Sequence, residues 1–174
     1  MERKTIRIEE LRLNVFDFGW MLLTAGDFDA GKYNTMTVSW GMMGIFWGAP
    51  VVTVGVRPTR FTYEFMEDFD TFTLTAFPEQ MKSALAFCGA KSGRDVDKIK
   101  ECRLTPIRSE SVDAPSFEEA ELVIECRKSY GHQITSKNMY DKRLLRHYPE
   151  RDFHKLYVGE VKTISAISQY RNEK

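Results

Sequence analysis

The sequence predicts a mainly β domain, a small β-barrel carrying short helices at its margins. Two observations carry that prediction. Short runs alternate apolar with small or polar residues at period two, as in Asn34–Trp40, Thr71–Phe77, Glu121–Tyr130 and His154–Ile164. Helical spacing, by contrast, is confined to brief segments after Pro58, after Pro78 and around Leu144.

Taken in order, residues 1–24 read as short strands in which Phe16, Phe18, Trp20 and Leu22 alternate. Ala25-Gly26-Asp27 and Ala30-Gly31-Lys32 are turn signals on either side of Phe28. From Tyr33 to Val56 there is no charged residue. About 20 apolar residues would cross a bilayer as a helix. Here Asn34, Thr35, Thr37, Ser39 and Thr53 are polar, and Gly41, Gly44, Gly48 and Pro50 would break the helix. The stretch is read as two largely buried strands, Asn34–Trp40 and Val51–Val56, with a Gly-rich connection between them.

In the first strand, period two sets Thr35, Thr37 and Ser39 on one face and Met36, Val38 and Trp40 on the other. Two readings of the hydroxyl face stand side by side. It is an ordinary half-exposed surface, or it is a face that a polar ligand approaches closely. The second strand ends at Arg57-Pro58-Thr59-Arg60, where Pro58 suits the first position of a helix. Phe61, Phe65 and Phe69 then share a helix face. The helix start, Arg57, Arg60, Thr59 and Thr62 would together suit an anion. The alternative pairs the arginines with solvent, Glu64 or Glu67.

Thr71–Phe77 is a strand, and Pro78-Glu79 opens a helix that turns Met81, Ala84, Leu85 and Cys88 inward and stops at Gly89. AKSGRDVDK follows. Lys91, Arg94 and Lys98 surround a Ser-Gly turn that is either a second anion site or a solvated helix start capped by Asp95 or Asp97. Residues 103–116 look irregular. A strand follows through Leu122, Ile124 and Cys126, then a helix near Leu144 and Leu145, then a strand through Leu156, Val158, Val161 and Ile164.

The 174 residues suit one domain spanning 1–174, with 43% apolar and 29% charged residues and a formal net charge of zero. That balance removes the general electrostatic case for nucleic acid or an acidic membrane surface. The N-terminus lacks a signal-peptide core before Leu13. Three widely spaced cysteines form neither a disulfide framework nor a CxxC motif, so a reducing cytoplasm is the expected location. Cys88 is read as an interior residue, with a lowered thiol pKa beside Lys91 and Arg94 as the alternative. His132, His147 and His154 lack metal-ligand spacing, so no metal is expected. There is no GxSxG, HExxH, Walker A or GxGxxG motif.

The combination of NTMTVSWG, a strand ending in VRPTRFTYE, FCGAKSGRDVDK and HKLYVGEV resembles the flavin reductase-like family with the FMN-binding split barrel, flavoredoxin-type members above all. The resemblance runs from about Val15 to Val161. It implies a Greek-key-like split β-barrel that binds FMN. In the family the strand matching Asn34, Thr35, Met36, Thr37, Val38, Ser39 and Trp40 lies along the flavin. The segment with Arg57, Thr59, Arg60 and Thr62 is expected at the phosphate. Cys88, Gly89, Ser92, Gly93 and Lys98 belong to the segment expected to close over the cofactor. His154 matches a histidine near the flavin ring or a nicotinamide, and is the one catalytic candidate.

The resemblance further implies a homodimer with FMN near the interface, Met42, Met43, Phe46 and Trp47 serving that contact or the core. It implies an oxidoreductase passing electrons from NADH or NADPH through FMN to an acceptor. An FMN electron carrier reduced by an electron-transfer protein and a non-catalytic flavin-binding or storage protein are the alternatives. Pyridoxamine phosphate oxidation fits the motifs less well. The flavin carries the redox chemistry in such a site, so no separate catalytic constellation is required.

Overall fold

A computed structural model describes residues 21–170, and the strands read over residues 1–20 lie outside them. The chain opens with a hairpin, β1 (Met21–Asp27) and β2 (Lys32–Val38), turning at 28–31. β3 (Gly41–Phe46) and β4 (Ala49–Val56) form a second hairpin. Then come α1 (Thr62–Asp68), β5 (Thr71–Ala76), α2 (Lys82–Ala90) and α3 (Lys98–Glu101). Two short strands, β6 (Pro106–Ile107) and β7 (Ser116–Phe117), precede the long β8 (Leu122–Gln133) and β9 (Lys155–Ala166).

Among the described residues the large sheet has seven strands in the order β2-β1-β5-β8-β9-β4-β3, each neighbour antiparallel. Its two edge strands, β2 and β3, are consecutive in the chain, separated only by Ser39 and Trp40. The sheet therefore curls until one bent strand leaves one edge and joins the other. Gly55 N–H donates to the Trp40 carbonyl at 3.2 Å, carrying the β3–β4 ladder up to the bend. This is the expected mainly β barrel, with the helices outside it.

Period two assigns side chains to its two faces. Met21, Leu23, Ala25, Met36, Val38, Val52, Val54, Phe72, Leu74, Ile124 and Tyr157 fill the interior. Leu22, on the other face of β1, packs outside the barrel with Leu85 and Cys88 of α2 and with Leu104 and Phe117. Every residue of β5 is buried, because the 104–117 segment covers its outer face. There Thr73 Oγ1 donates to the Pro115 carbonyl at 2.7 Å, and Thr71 Oγ1 accepts from Ala114 N–H at 3.2 Å. Buried Glu125 fastens the same segment by accepting from the Glu110 and Ser111 amides at 2.9 and 2.6 Å.

Five expectations are corrected. The Gly-rich connection is β3 itself, closed onto β4 by Trp47 and Gly48 at φ 51° and 73°. Two consecutive positive φ values suit a tight hairpin turn, so the glycine marks the turn and not a break in structure. The helix after Pro58 begins only at Thr62, because a turn with Arg60 N–H on the Arg57 carbonyl comes first. Around Leu144 the backbone is a 3-10 helix, Lys142–His147, and residues 103–116 contain the β6–β7 pair. Ala25-Gly26-Asp27 lies inside β1, so the turn around Phe28 starts later. Among the described residues no helix is long and apolar enough to cross a membrane.

Candidate functional site

Where β2 bends toward β3, a cleft of about 380 Å³ opens against α2. Met36, Thr37 and Ser39 of the bent strand line one side and Leu85, Ala86 and Gly89 of α2 the other; Arg57, Arg60 and His154 complete it. The size lies within the range of small-molecule sites, roughly 300–1,000 Å³. Its lining joins apolar walls to two guanidinium groups.

Both arginines are held from behind. Arg57 Nη1 pairs with Asp152 Oδ2 at 2.6 Å, and its Nη2 donates to the His147 carbonyl at 2.7 Å. Its guanidinium also lies over the Tyr148 ring at 5.1 Å. Arg60 Nη2 donates to the Gly89 carbonyl at 2.7 Å. Burial, then the neighbouring Arg57 charge, lowers the Arg60 pKa. Each pairing leaves further N–H groups of a five-donor fork. Two cations held close together at a cleft wall invite an anion, which would relieve their mutual repulsion.

His154 packs against Trp40, ring centroids 4.9 Å apart, and its Nδ1 lies 2.9 Å from the Tyr148 hydroxyl. Burial and then Arg57 push its pKa down to about 4, so at neutral pH the imidazole is uncharged. With Tyr148 donating, the ring proton sits on Nε2. The folded pKa lies below the ordinary 6.5, so the unfolded chain binds the extra proton first. Stability is fully present above pH 6.5 and falls as pH drops from about 6.5 to about 4. Replacing His154 by Phe is expected to remove about 1–3 kcal/mol of this acid-induced loss. Urea titrations of both proteins at neutral pH and near the lower value check it, and parallel stability curves would refute it.

The sequence-derived residues divide between this cleft and the protein's own framework. Met36, Thr37, Ser39, Arg57, Arg60, Gly89 and His154 line the cleft. The hydroxyl face of β2 is largely used internally. Thr35 Oγ1 accepts from Thr24 Oγ1 at 3.0 Å and reaches the Leu23 carbonyl at 3.2 Å. Thr37 Oγ1 donates to the Leu85 carbonyl at 2.5 Å, tying β2 to α2. Ser39 is exposed at the cleft, Trp40 stands at its rim, and Val38 belongs to the core.

A second cleft of about 450 Å³ holds Asn34, Gly93 and Lys98 with Phe61, Arg94 and Asp97. Asn34 Nδ2 donates to buried Thr62 Oγ1 at 2.7 Å. A Cβ on Gly93 would collide with Asn34 Oδ1 and come within 3.0 Å of the Phe61 ring, which explains the glycine. Ser92 Oγ accepts from Arg94 N–H at 3.2 Å, and Arg94 pairs with Glu64 over Phe61. Thr59 is exposed, its carbonyl 3.5 Å from Arg94 Nη1. Lys98 is buried, its ammonium donating to the Thr35 and Cys88 carbonyls; burial lowers its pKa to about 8. Asp97 caps α3 by accepting from Lys100 N–H at 3.1 Å, so this turn is a capped helix start. α1 starts only at Thr62, so Arg57, Thr59 and Arg60 stand in the turn before it and not in a helical first turn.

Sequence reasoning missed Tyr148, Asp152 and His147, which hold Arg57 and His154 from the loop before β9. Their only signal was an aromatic, basic and acidic cluster, HYPERDFH, read there as a helix end. Cys88 is fully buried, and burial pushes its thiol up to about 12. Met42, Met43, Phe46 and Trp47 are exposed along β3, with Ile45 between them, so they do not serve the core. Among the described residues no group of His, Cys, Asp or Glu is arranged to hold a metal.

A family model described as flavin reductase like domain matches residues 13–173. Among solved structures, flavoredoxin of Desulfovibrio vulgaris (Miyazaki F) superposes with a TM-score of 0.67, at 21% identity over 95% of this chain and 78% of its own. An FMN-binding protein from Thermus thermophilus gives a TM-score of 0.67 at 19% identity, covering 95% and 79%. An NADH:FAD oxidoreductase of Streptomyces globisporus C-1027 gives 0.65 at 18% identity, covering 95% and 87%. The chain spans about half the length of the curated relatives it matches, 47% and 54%.

Proposed function

Because this chain belongs to the flavin reductase-like domain family, we propose that it is an FMN-binding oxidoreductase that passes electrons from NADH or NADPH through the flavin to an acceptor. The observation that carries the reading is the β2–α2 cleft, with Arg57 and Arg60 at one wall and apolar Met36 and Leu85 beside them. Those groups suit a ligand with a flat, largely apolar ring and a phosphate. When bound, FMN supplies the two-electron chemistry.

The chain's own residues bind and orient. Arg57 and Arg60, each braced by the acceptor behind it, would hold the phosphate. Ser39 and the β2 backbone would hydrogen-bond the rest of the cofactor. Met36, Leu85 and Ala86 exclude water. His154, neutral at working pH, presents Nε2 as a donor without adding a second charge to the cluster. Asn34, Thr35, Lys98 and the Ser92-Gly93 turn keep β2, α1 and α2 in register behind the cleft. Cys88 takes no part in the electron transfer.

The exposed apolar row Met42, Met43, Ile45, Phe46 and Trp47 adjoins the cleft through Trp40. A second copy of the chain is the proposed occupant, which brings two clefts near a shared interface. A protein electron partner would approach the remaining open side.

Anaerobic mixing of the FMN-loaded protein with NADH and then NADPH tests the reading, followed by visible flavin absorbance. Rapid bleaching by one nucleotide is expected and identifies the donor. A bound flavin that neither nucleotide bleaches overturns the reductase and leaves a partner-reduced carrier or a storage protein. Light scattering on the same preparation reads the dimer, and a monomer mass removes that part.

A further inference from the structure

Three features lie outside the proposed chemistry: the polar second cleft, the buried ammonium of Lys98, and the thiols behind α2. The second cleft and Lys98 are accounted for by internal hydrogen bonds. The thiols are not. Cys88, near the end of α2, and Cys102, just after α3, are far apart in sequence, yet their Sγ atoms lie 3.7 Å apart. Cys88 is fully buried and Cys102 is half-buried. Both are free thiols.

We propose that Cys88 and Cys102 form an oxidisable dithiol, a modification site that peroxide closes to an intramolecular disulfide. The pair is asymmetric in the way a two-step oxidation needs. Half-buried Cys102 meets the oxidant, and buried Cys88 waits behind it. In the first step the Cys102 sulfur attacks the peroxide; an S–O bond forms, the O–O bond breaks, and one water leaves. In the second step Cys88 gives its proton to solvent and attacks the Cys102 sulfur; the S–S bond forms, the S–O bond breaks, and the departing hydroxide takes a proton as a second water. Two thiols lose two electrons and the peroxide gains them.

Closing the pair needs the sulfurs to approach to about 2.05 Å. Cys102 can supply the movement. It caps the four-residue α3, and Arg103 beyond it turns back at φ 52°. Its present sulfur contact on the backbone is long, 3.5 Å to the Ala84 carbonyl. Cys88 is the anchored partner, since its carbonyl accepts from Lys98 Nζ at 3.2 Å. The Lys98 charge beside both sulfurs favours the thiolates, while burial opposes them and is the larger effect. Slow reaction at neutral pH and faster reaction in mildly alkaline buffer follow.

The bridge would also be felt in the cleft, because α2 forms one of its walls. The α2 carbonyls of Leu85 and Gly89 accept from Thr37 and Arg60. Drawing Cys88 toward α3 pulls on both contacts. This coupling rests on the cleft being the FMN site.

The test treats the full-length protein with hydrogen peroxide and reads intact mass, denatured thiol count and peptide map. Expected is a mass loss of two hydrogens, a fall from three titratable thiols to one, a cross-link between the Cys88 and Cys102 peptides, and full reversal by dithiothreitol. Cys102→Ser should lose the cross-link entirely, and Cys126→Ser should keep it. A gain of oxygen on either cysteine without cross-linking overturns the proposal, as does a bridge through Cys126. The oxidised wild type should then bind FMN several-fold more weakly than the reduced form. Equal affinities overturn the coupling. A protein that binds no FMN in either state fails the flavin reading, and the mass and thiol results then judge the bridge by themselves.

Discussion

Replacing Arg57 by alanine is expected to weaken FMN binding by more than about 1.5 kcal/mol, the lower part of the range for hydrogen bonds to a charged group. That is roughly a tenfold rise in the dissociation constant or more. Riboflavin, which lacks the phosphate, should lose much less. The comparison matters because Arg57 also braces its surroundings. Its guanidinium holds Asp152 at 2.6 Å and the His147 carbonyl at 2.7 Å, and it holds the Asp152 carboxyl below the ordinary carboxylate range. Asp152 Oδ1 is shielded from solvent and, among the described residues, has no hydrogen-bond donor. Loss of Arg57 therefore loosens the loop before β9 as well as removing a cation. Loosening would weaken both ligands alike, whereas loss of a phosphate contact weakens FMN alone. Fluorescence titration of both ligands against both proteins separates the two, and equal losses take Arg57 out of the phosphate site.

The second large effect concerns the barrel. Gly159 of β9 is buried, and a Cβ there would lie 2.5 Å from Phe72 Cζ, 2.6 Å from Phe72 Cε1 and 2.9 Å from Cys126 Cβ. Phe72 is completely buried in the interior cluster and has no open space to swing into. Cys126 Cβ is fixed by the β8 backbone. Gly159→Ala is expected to destabilise the fold by about 2–3 kcal/mol, the upper part of the range for overpacking a filled core. For a chain of this size that lowers the melting temperature by roughly 5–10 °C. Gly44→Ala is the control, since its Cβ would meet nothing within 4 Å. Calorimetry showing similar shifts for the two variants would contradict this account of the β9–β5 contact.

Much of the barrel was legible because period-two patterns survive wherever one face is buried and the other is not. In β2, Met36 and Val38 join the core while Thr37 turns to α2, the two faces their alternation assigns. The pattern failed on β3. Its residues are exposed on both faces, so no alternation marks it, and its glycines read as a connection. The start of α1 was misplaced because Pro58 fits a helix start and a turn equally well, and the Arg60 amide on the Arg57 carbonyl decides for the turn.

At the site, the arginines and Ser39 stood out by residue type and position, and His154 only through the family resemblance. What they lean on did not. Asp152, Tyr148 and the His147 carbonyl reach Arg57 across 90 or more residues of chain, and no local spacing carries such a pairing. Thr35 and Lys98 show the converse. Each carries a functional-looking group that the fold consumes internally.

The single bent strand that joins the sheet's two edges has a dynamic consequence. Elsewhere, separating neighbouring strands breaks a ladder of backbone hydrogen bonds. At Ser39 and Trp40 the two edges are joined by the peptide chain itself. The barrel can breathe along this line with no strand pair lost, at a free energy below that of global unfolding. The Ser39 and Trp40 amides should then exchange with solvent hydrogen faster than those of β2 beside them. Ser39 lines the cleft and Trp40 packs on His154 in its wall, so opening along this line changes the shape of the cleft.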